Sequence, residues 1–377
     1  MRIDRDYAAF GEVSFDLTEK LTGTAGIRFF KAKNSLEGFF GFGFDNAYGS
    51  CTGEHQGVDF PGDPGSCTDP PLDPCDYAVQ INGGPCRNLN KEVDESGNTP
   101  KLNLTYRFTD SALAYVTYSE GFRPGGVNRR GTFPPYASDY LKNYEIGWKS
   151  SWAGNRLRFN GALFWEKWDN FQFSFLGENG LTNITNAGGA EIKGVETEID
   201  WAATPNLLIS GGLMYLEPEL TEDFCESLGT DGKPLPREDC LANDPTEFAA
   251  SGTTLPVTPK FKGNVIARYS FEVGQWQAHV QGAYVYQGES RSALLPDENA
   301  ILGDQGAYGI ADFTAGIEKN GMSLEFFITN AFDERADLYR YAECETSTCG
   351  AGVDTPGIVY FGTNVPRTFG ITFGQKF

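Results

Sequence analysis

The stretch Pro366-Arg-Thr-Phe-Gly-Ile-Thr-Phe-Gly-Gln-Lys-Phe377 reads as a β-strand with two unlike faces. Phe369, Ile371, Phe373 and Phe377 share one parity, and Thr368, Gly370, Thr372, Gly374 and Lys376 share the other. Side chains alternate across a strand, so one face is apolar and the opposite one polar.

The same division recurs upstream. From 156 to 175, odd positions carry Leu157, Phe159, Leu163, Trp165, Phe171, Phe173 and Phe175, while the apolar even positions are Ala162, Phe164 and Trp168. Phe261, Val265, Ala267, Tyr269 and Phe271 oppose Lys260, Lys262, Asn264, Arg268 and Ser270. Leu102, Leu104, Tyr106 and Phe108 oppose Lys101, Asn103, Thr105 and Arg107. Over 112–120 both parities carry apolar residues, and the faces are ambiguous.

Alternation predicts thirteen strands, near 5–17, 21–31, 99–108, 112–120, 141–151, 156–173, 190–202, 207–217, 259–271, 276–288, 307–317, 323–330 and 366–377. Every second joint is tight, as at Thr18-Glu-Lys20, Thr109-Asp-Ser111 and Glu318-Lys-Asn-Gly321, and the others are long. Ordinary strands run about five or six residues. A tilted membrane strand needs about nine to eleven, plus any extension beyond the bilayer. Tight turns on one side and long loops on the other are the asymmetry of a bacterial outer-membrane barrel. The predicted fold class is all-β, a transmembrane antiparallel β-barrel. Barrels of this kind have even strand counts, and sheet edges cannot stand unpaired in lipid. The thirteen strands are therefore expected to be the C-terminal part of a larger barrel.

Composition agrees. The pI near 4.5 and net charge of −21 exclude nucleic acid as a partner, because such binding needs a basic face. No run approaches the apolar length of a transmembrane helix, while Phe (29), Tyr (17) and Gly (46) suit aromatic girdles and twisted strands. The first residues, Met-Arg-Ile-Asp-Arg-Asp-Tyr, contain no apolar signal-peptide core, so a missing upstream segment is expected for an exported protein. Cys51, Cys67, Cys75 and Cys86, Cys225 and Cys240, and Cys344 and Cys349 all fall in polar loop-like segments. An even count in loops points to disulfides in an oxidising compartment. Zinc is the rival reading, but paired CxxC or CxxH spacing is absent around His55 and His279. No metal or cofactor is expected.

Several stretches carry a resemblance: Tyr115-Val-Thr-Tyr-Ser-Glu-Gly-Phe-Arg-Pro-Gly-Gly126, Asn143-Tyr-Glu-Ile-Gly-Trp-Lys149, Asn186-Ala-Gly-Gly-Ala-Glu-Ile-Lys-Gly-Val-Glu-Thr-Glu198, Ile328-Thr-Asn-Ala-Phe-Asp333 and the terminal strand. In these the chain resembles the TonB-dependent outer-membrane receptors. The resemblance implies a twenty-two-stranded barrel filled by a plug domain and energised through an N-terminal TonB box. Residues 1–377 would be a partial barrel domain lacking plug and box. The implied function is uptake of a scarce solute, with a ferric siderophore complex as the expected cargo. The implied partners are that small molecule, outer-membrane lipid and lipopolysaccharide, TonB through the missing N-terminal region, and the barrel-assembly machinery through the last strand.

Candidate sites follow. The loop 121–138 is basic and aromatic, with Arg123, Arg129, Arg130, Phe133 and Tyr136 as candidate ligand contacts, the alternative for Arg123 being a pairing with a lumen acid. Glu145, Lys149, Glu196, Glu198, Asp200 and Glu325 are expected to face the lumen and the plug. Segments 40–98, 218–258 and 331–357 carry nets of −8, −7 and −4, read either as capture of a cationic ligand or as a solvated outer surface. Two other functions remain open, a passive porin or adhesin barrel and a secreted all-β carbohydrate-active enzyme. An enzyme would bury Trp148, Trp165, Phe171 and Trp201 in a core, whereas a receptor shows them to lipid. No nucleophile–base motif or dinucleotide fingerprint appears, so no catalytic residue is assigned.

Overall fold

The computed structural model describes residues 1–38, 89–129, 134–176, 182–229, 233–342 and 359–376. Thirteen strands form one antiparallel meander. They are β1 (Arg2–Asp16), β2 (Leu21–Gly38), β3 (Leu89–Thr109), β4 (Ala112–Arg123), β5 (Asp139–Trp152), β6 (Leu157–Leu176), β7 (Thr182–Ala202), β8 (Leu207–Leu220), β11 (Phe261–Val273), β12 (Trp276–Gln287), β13 (Tyr308–Lys319), β14 (Met322–Thr329) and β17 (Thr368–Gln375). Two ribbons stand apart from the sheet. β9 (Phe224–Cys225) pairs with β10 (Phe248–Ala249), and β15 (Asp337–Ala342) pairs with β16 (Val359–Thr363).

The thirteen strands occur in the expected order, but some run further. β3 begins ten residues before the alternating segment at 99, and β7 begins at Thr182 instead of 190. These extensions lie past the apolar band, so pairing continues where alternation has stopped. One expectation is corrected by this. Glu92, Asp94 and Glu95, counted among the acids of a long loop, are strand residues of β3. Lys31 meets Asp94 at 3.3 Å, and Lys33 pairs with Glu92.

Register shows why the strands form. One row of side chains runs Leu102, Tyr118, Tyr144, Trp165 across β3 to β6. Another runs Leu157, Trp201, Ile209, Ala267, Gly282, Phe313, Ile328, Phe369 across β6 to β17. On β6 the two rows are eight residues apart. That is about 20 Å along the membrane normal for a tilted strand, close to the height of a barrel's apolar band. On this face Leu163 is 54%, Ile146 59% and Ile371 71% exposed. Side chains this apolar and this bare are stable only in apolar surroundings. β4 is no longer ambiguous: Val116 and Tyr118 lie on the bare face, and Tyr115 and Thr117 on the polar one.

The tight turns are written locally. The Thr18 hydroxyl accepts from the Lys20 and Leu21 amides, and Thr204 repeats this with Asn206 and Leu207. Asn320-Gly321 adopts φ of 51° and 77°, the left-handed pair that a two-residue hairpin requires. At the sheet's edges, β1 and β17 run in the same direction. Arg2 pairs with Leu36 at the long-loop end, and Gln375 pairs with Met322 at the tight-turn end.

The expectation for Phe171 is corrected. Trp165 and Trp201 are exposed on the apolar face, and Trp148 packs beside Phe159 there. Asn170, with φ of 59°, interrupts β6 above them. Beyond it Phe171 lies against Trp168, and Phe173 is buried in a cluster with Leu220, Phe224, Leu255 and Leu294. That cluster joins the long connections, not the membrane face.

Candidate functional site

The candidate site lies at the long-loop end, where residues 124–138 connect β4 to β5. Two carboxylates hold this loop. Asp139, 1% exposed, accepts from the Arg123 amide at 3.2 Å, from Arg123 Nε at 2.9 Å and from the Gln172 amide at 3.1 Å. Glu95 accepts from the amides of Gly125 and Ser138, each at 2.8 Å. A charge can be buried when it is paired and its lone pairs are filled, and Asp139 meets that condition, whereas the half-buried Glu95 is held by neutral donors alone.

Carboxamides complete the clamp. Asn128 exchanges hydrogen bonds with the Ile184 backbone and donates to the Pro134 carbonyl at 2.9 Å. Gln172 Nε2 donates to the Pro124 and Ala137 carbonyls, and Asn186 both donates to and accepts from Ala137. At the narrowest point Gly126 bridges Tyr136 through two backbone bonds of 2.9 Å. A Cβ on Gly126 would meet the Tyr136 hydroxyl at 2.4 Å and its ring at 2.7 Å, so a larger residue would displace the tyrosine side chain.

The five predicted ligand contacts separate. Arg123 is committed: beyond Asp139 it donates to the Gln172 carbonyl at 3.1 Å and stacks 4.7 Å over Trp168. Arg129 is exposed and has no hydrogen-bond or ion-pair partner among the described residues. Tyr136 is half-buried over Gly126, and burial pushes its phenol above the usual range. Arg130 and Phe133 lie outside the described residues. The clamp residues Glu95, Asp139, Asn128 and Gln172 escaped sequence reading, since single polar residues at strand ends and in a connection carry no pattern.

Beside this loop stands a compact cap. Phe173, Ala187, Leu220, Phe224, Leu255 and Leu294 form its dry centre. The Cys225–Cys240 disulfide ties β9 to the short helix Arg237–Asn243. Arg237 pairs with Asp223 at 3.2 Å and lies over the Phe248 ring. Asp244 accepts from the Thr246 hydroxyl and amide, which hold its carboxyl below the usual range. A second helix, Pro296–Leu302, receives the Arg340 guanidinium of β15 on the Leu302 carbonyl at 2.9 Å. The other predicted cysteines, Cys51, Cys67, Cys75, Cys86, Cys344 and Cys349, lie outside the described residues, as does His55.

All six predicted lumen residues lie on the polar face, as register with the bare apolar rows requires. Glu145 accepts from the Tyr115 hydroxyl at 2.6 Å. Asp200 takes Arg158 at 2.9 Å and the Ser210 hydroxyl at 2.8 Å. Glu325 stands 3.2 Å from His279 Nε2. Lys149, Glu196 and Glu198 have no side-chain hydrogen bond or ion pair among the described residues. Glu166, which sequence reading did not single out, stands one row above Glu145 on the same face. Among the described residues no group of His, Cys, Asp and Glu has the geometry to hold a metal ion.

Comparison with known proteins agrees with this architecture. Residues 2–331 match the family described as TonB dependent receptor-like, beta-barrel. The chain is 31% identical over 133 residues to the ferric-pyoverdine 358 receptor of Pseudomonas putida, covering 34% of this chain and 16% of the relative. It is 22% identical over 278 residues to the pesticin receptor of Yersinia enterocolitica, covering 70% of this chain and 35% of the relative. The chain thus spans about a third or less of these curated relatives. Among solved structures, the ferric yersiniabactin uptake receptor FyuA of Yersinia pestis superposes with a TM-score of 0.67 at 18% identity, covering 100% of this chain and 46% of that one. The copper transporter OprC superposes with 0.61 at 13% identity, covering 100% and 48%. At these identities the structural likeness establishes the fold alone.

Proposed function

This chain belongs to the TonB-dependent receptor family, and on that premise we propose that it is the ligand-bearing wall of a receptor importing a ferric siderophore complex. Proteins of this family reside in the outer membrane, and the bare apolar face of the sheet is the face turned to lipid. The polar face is then the lumen, and the clamped loop 124–138 stands at its outer mouth.

The observation that carries the cargo is the set of relatives, two of which are receptors for ferric pyoverdines and one a probable siderophore receptor. The rim chemistry is compatible. Arg129 presents a guanidinium without a partner among the described residues, next to a stretch whose backbone at Pro124, Gly125 and Gly126 is held, which suits an anionic ferric complex. Tyr136 offers an aromatic edge a few residues away. Arg130 and Phe133 belong to the same segment and are proposed as further contacts.

The partners follow from the same reading. β1 and β17 run in the same direction, so joining these edges directly would give a parallel pair. An all-antiparallel wall needs an odd number of further strands between them, about nine if it reaches the 22 of plugged transporters. A plug would meet Glu145, Lys149, Glu196, Glu198, Asp200 and Glu325 in the lumen. TonB would act through the part that carries the plug, and the barrel-assembly machinery through β17.

The test is uptake by the full-length receptor in an iron-starved strain stripped of its own siderophore receptors. Transport of radiolabelled iron with at least one siderophore, lost when TonB is deleted, is the expected result. Transport of copper or cobalamin with no ferric complex accepted would overturn the cargo. Arg129→Ala is expected to weaken binding more than Arg123→Lys, which keeps the charge that Asp139 needs.

A further inference from the structure

We propose that the lipid-facing side of β11 to β14 holds one anionic phospholipid of the periplasmic leaflet, its acyl chain in a groove and its phosphate at Lys319. The proposal rests on the membrane placement of the barrel and not on its cargo.

A groove of about 450 Å³ opens on this face, with Ala267, Gly282 and Ala315 as its floor and Tyr269, Phe313 and Phe326 as its walls. Register explains its shape. Ala267, Gly282 and Phe313 lie in one row, and Val280, Ala315 and Phe326 in the next row toward the tight turns. Small side chains between large ones leave a channel across two strands. Among the described residues nothing fills it, and in a membrane a lipid chain restores the lost contacts.

The channel is polarised. The outward positions of β11, β12, β13, β14 and β17 are Gly, Ala, Val, Ile, Leu, Met, Phe, Tyr, Trp and Gln, with the single exception of Lys319. Lys319 stands at the tight-turn end, where the periplasmic leaflet meets water. Its ammonium donates to the Gln275 side chain at 2.5 Å and lies 5.7 Å over the Trp276 ring. An ammonium has three donors, so Lys319 keeps capacity for a phosphate. Lys376 lies beside the same turn, its amide bonded to the Gly321 carbonyl. The nearby acids Glu272 and Glu318 alternate onto the polar face, leaving the tight-turn end of the apolar face positive. A cation four residues along β13 from Ala315 of the groove floor, on the same membrane face, matches the separation between the headgroup and acyl chain of an anionic phospholipid.

The test uses the full-length receptor, purified into detergent and exposed to an equal mixture of phosphatidylglycerol and phosphatidylcholine. Native mass spectrometry then counts the retained lipid. Wild type is expected to keep one phosphatidylglycerol in preference to phosphatidylcholine. Lys319→Gln should lower that preference about fivefold, the effect of one cation at an anionic surface, and Lys319→Arg should preserve it. Ala315→Leu, which fills the floor, should reduce retention of both lipids. Heat-modifiable migration on gels checks folding of each variant, and Lys319→Arg keeps the comparison interpretable should the glutamine variant fail to fold. Equal retention of both lipids by wild type, or retention of lipopolysaccharide alone, overturns the proposal. Ferric uptake, measured in parallel, is expected to be the same in all variants. Failure of uptake in wild type with lipid retained would refute the cargo and leave this site standing.

Discussion

β6 passes through two environments, and its two halves show how one alternating pattern serves two solvents. Below Asn170, Phe159, Leu163 and Trp165 stand bare on the sheet's outer face. Above it, Phe173 is 8% exposed, inside a cluster capped by Leu220, Phe224 and Leu294. The wall is one layer thick and relies on backbone pairing and lipid. The cap has a dry centre, a disulfide and charged clamps, as a small soluble domain would. Substitutions should therefore hurt the two regions by different mechanisms.

The largest effect is expected at the clamp. Asp139→Ala would leave Arg123 without its carboxylate and the Gln172 amide without an acceptor. Breaking a buried pair costs about 3–5 kcal/mol, and the low end applies because Arg123 reaches solvent. Limited proteolysis should then cut within 124–138 while the wall stays intact; an uncut loop would show that the carboxamides alone hold it. Next comes the cap. Cys225→Ser should cost about 3 kcal/mol for a closed loop of 15 residues. The effect should appear as protease sensitivity over 221–258 with no change in heat-modifiable migration. Loss of the folded barrel would mean that cap and wall are one cooperative unit.

The wall gives a graded contrast. Leu213 lies midway between the two aromatic rows, so Leu213→Arg should cost about 2–4 kcal/mol in bilayer unfolding. Trp165 lies at the outer row, its indole donating to Glu191 at 2.8 Å. Trp165→Arg should accordingly cost only about 0–1 kcal/mol. Equal costs would mean the apolar band is misplaced. The smallest effect concerns Glu298, whose carboxyl is raised by burial in the Pro296–Leu302 helix. Its folded form binds a proton more readily than the unfolded one. The associated stability is present below the ordinary glutamate range and fades as pH rises through the raised value. Glu298→Gln should flatten the pH dependence of cap melting on the alkaline side of that range. A persisting slope would assign it to another group.

Much of the wall was legible in the sequence because lipid on one side and a polar lumen on the other impose a period of two on every spanning strand. Phe369, Ile371 and Phe373 carry that signal without any neighbour. The rim was far less legible. Glu95 meets the loop only because β3 runs beside it, and Gln172 of β6 reaches Asp139 and the loop carbonyls only through the pairing of the strands. Arg123 looked like a ligand contact from its charge, whereas the structure gives that charge to Asp139. Cys225 and Cys240 were readable because cysteines announce themselves. Phe171 was misread because one left-handed residue, Asn170, ends the alternation, and a single asparagine within an alternating run is a weak signal of that break.

Sequence alone determined the strand count and order, the parity of most faces, the asymmetry of turns and loops, and the family. These are local or periodic properties, fixed by side-chain chemistry and the pleat. The tertiary structure decided which face β4 buries, where the membrane band stops, which arginine is committed, and that a lone lysine stands below an apolar groove. Those depend on register between strands far apart in the chain, and register is a property of pairs that no single strand contains.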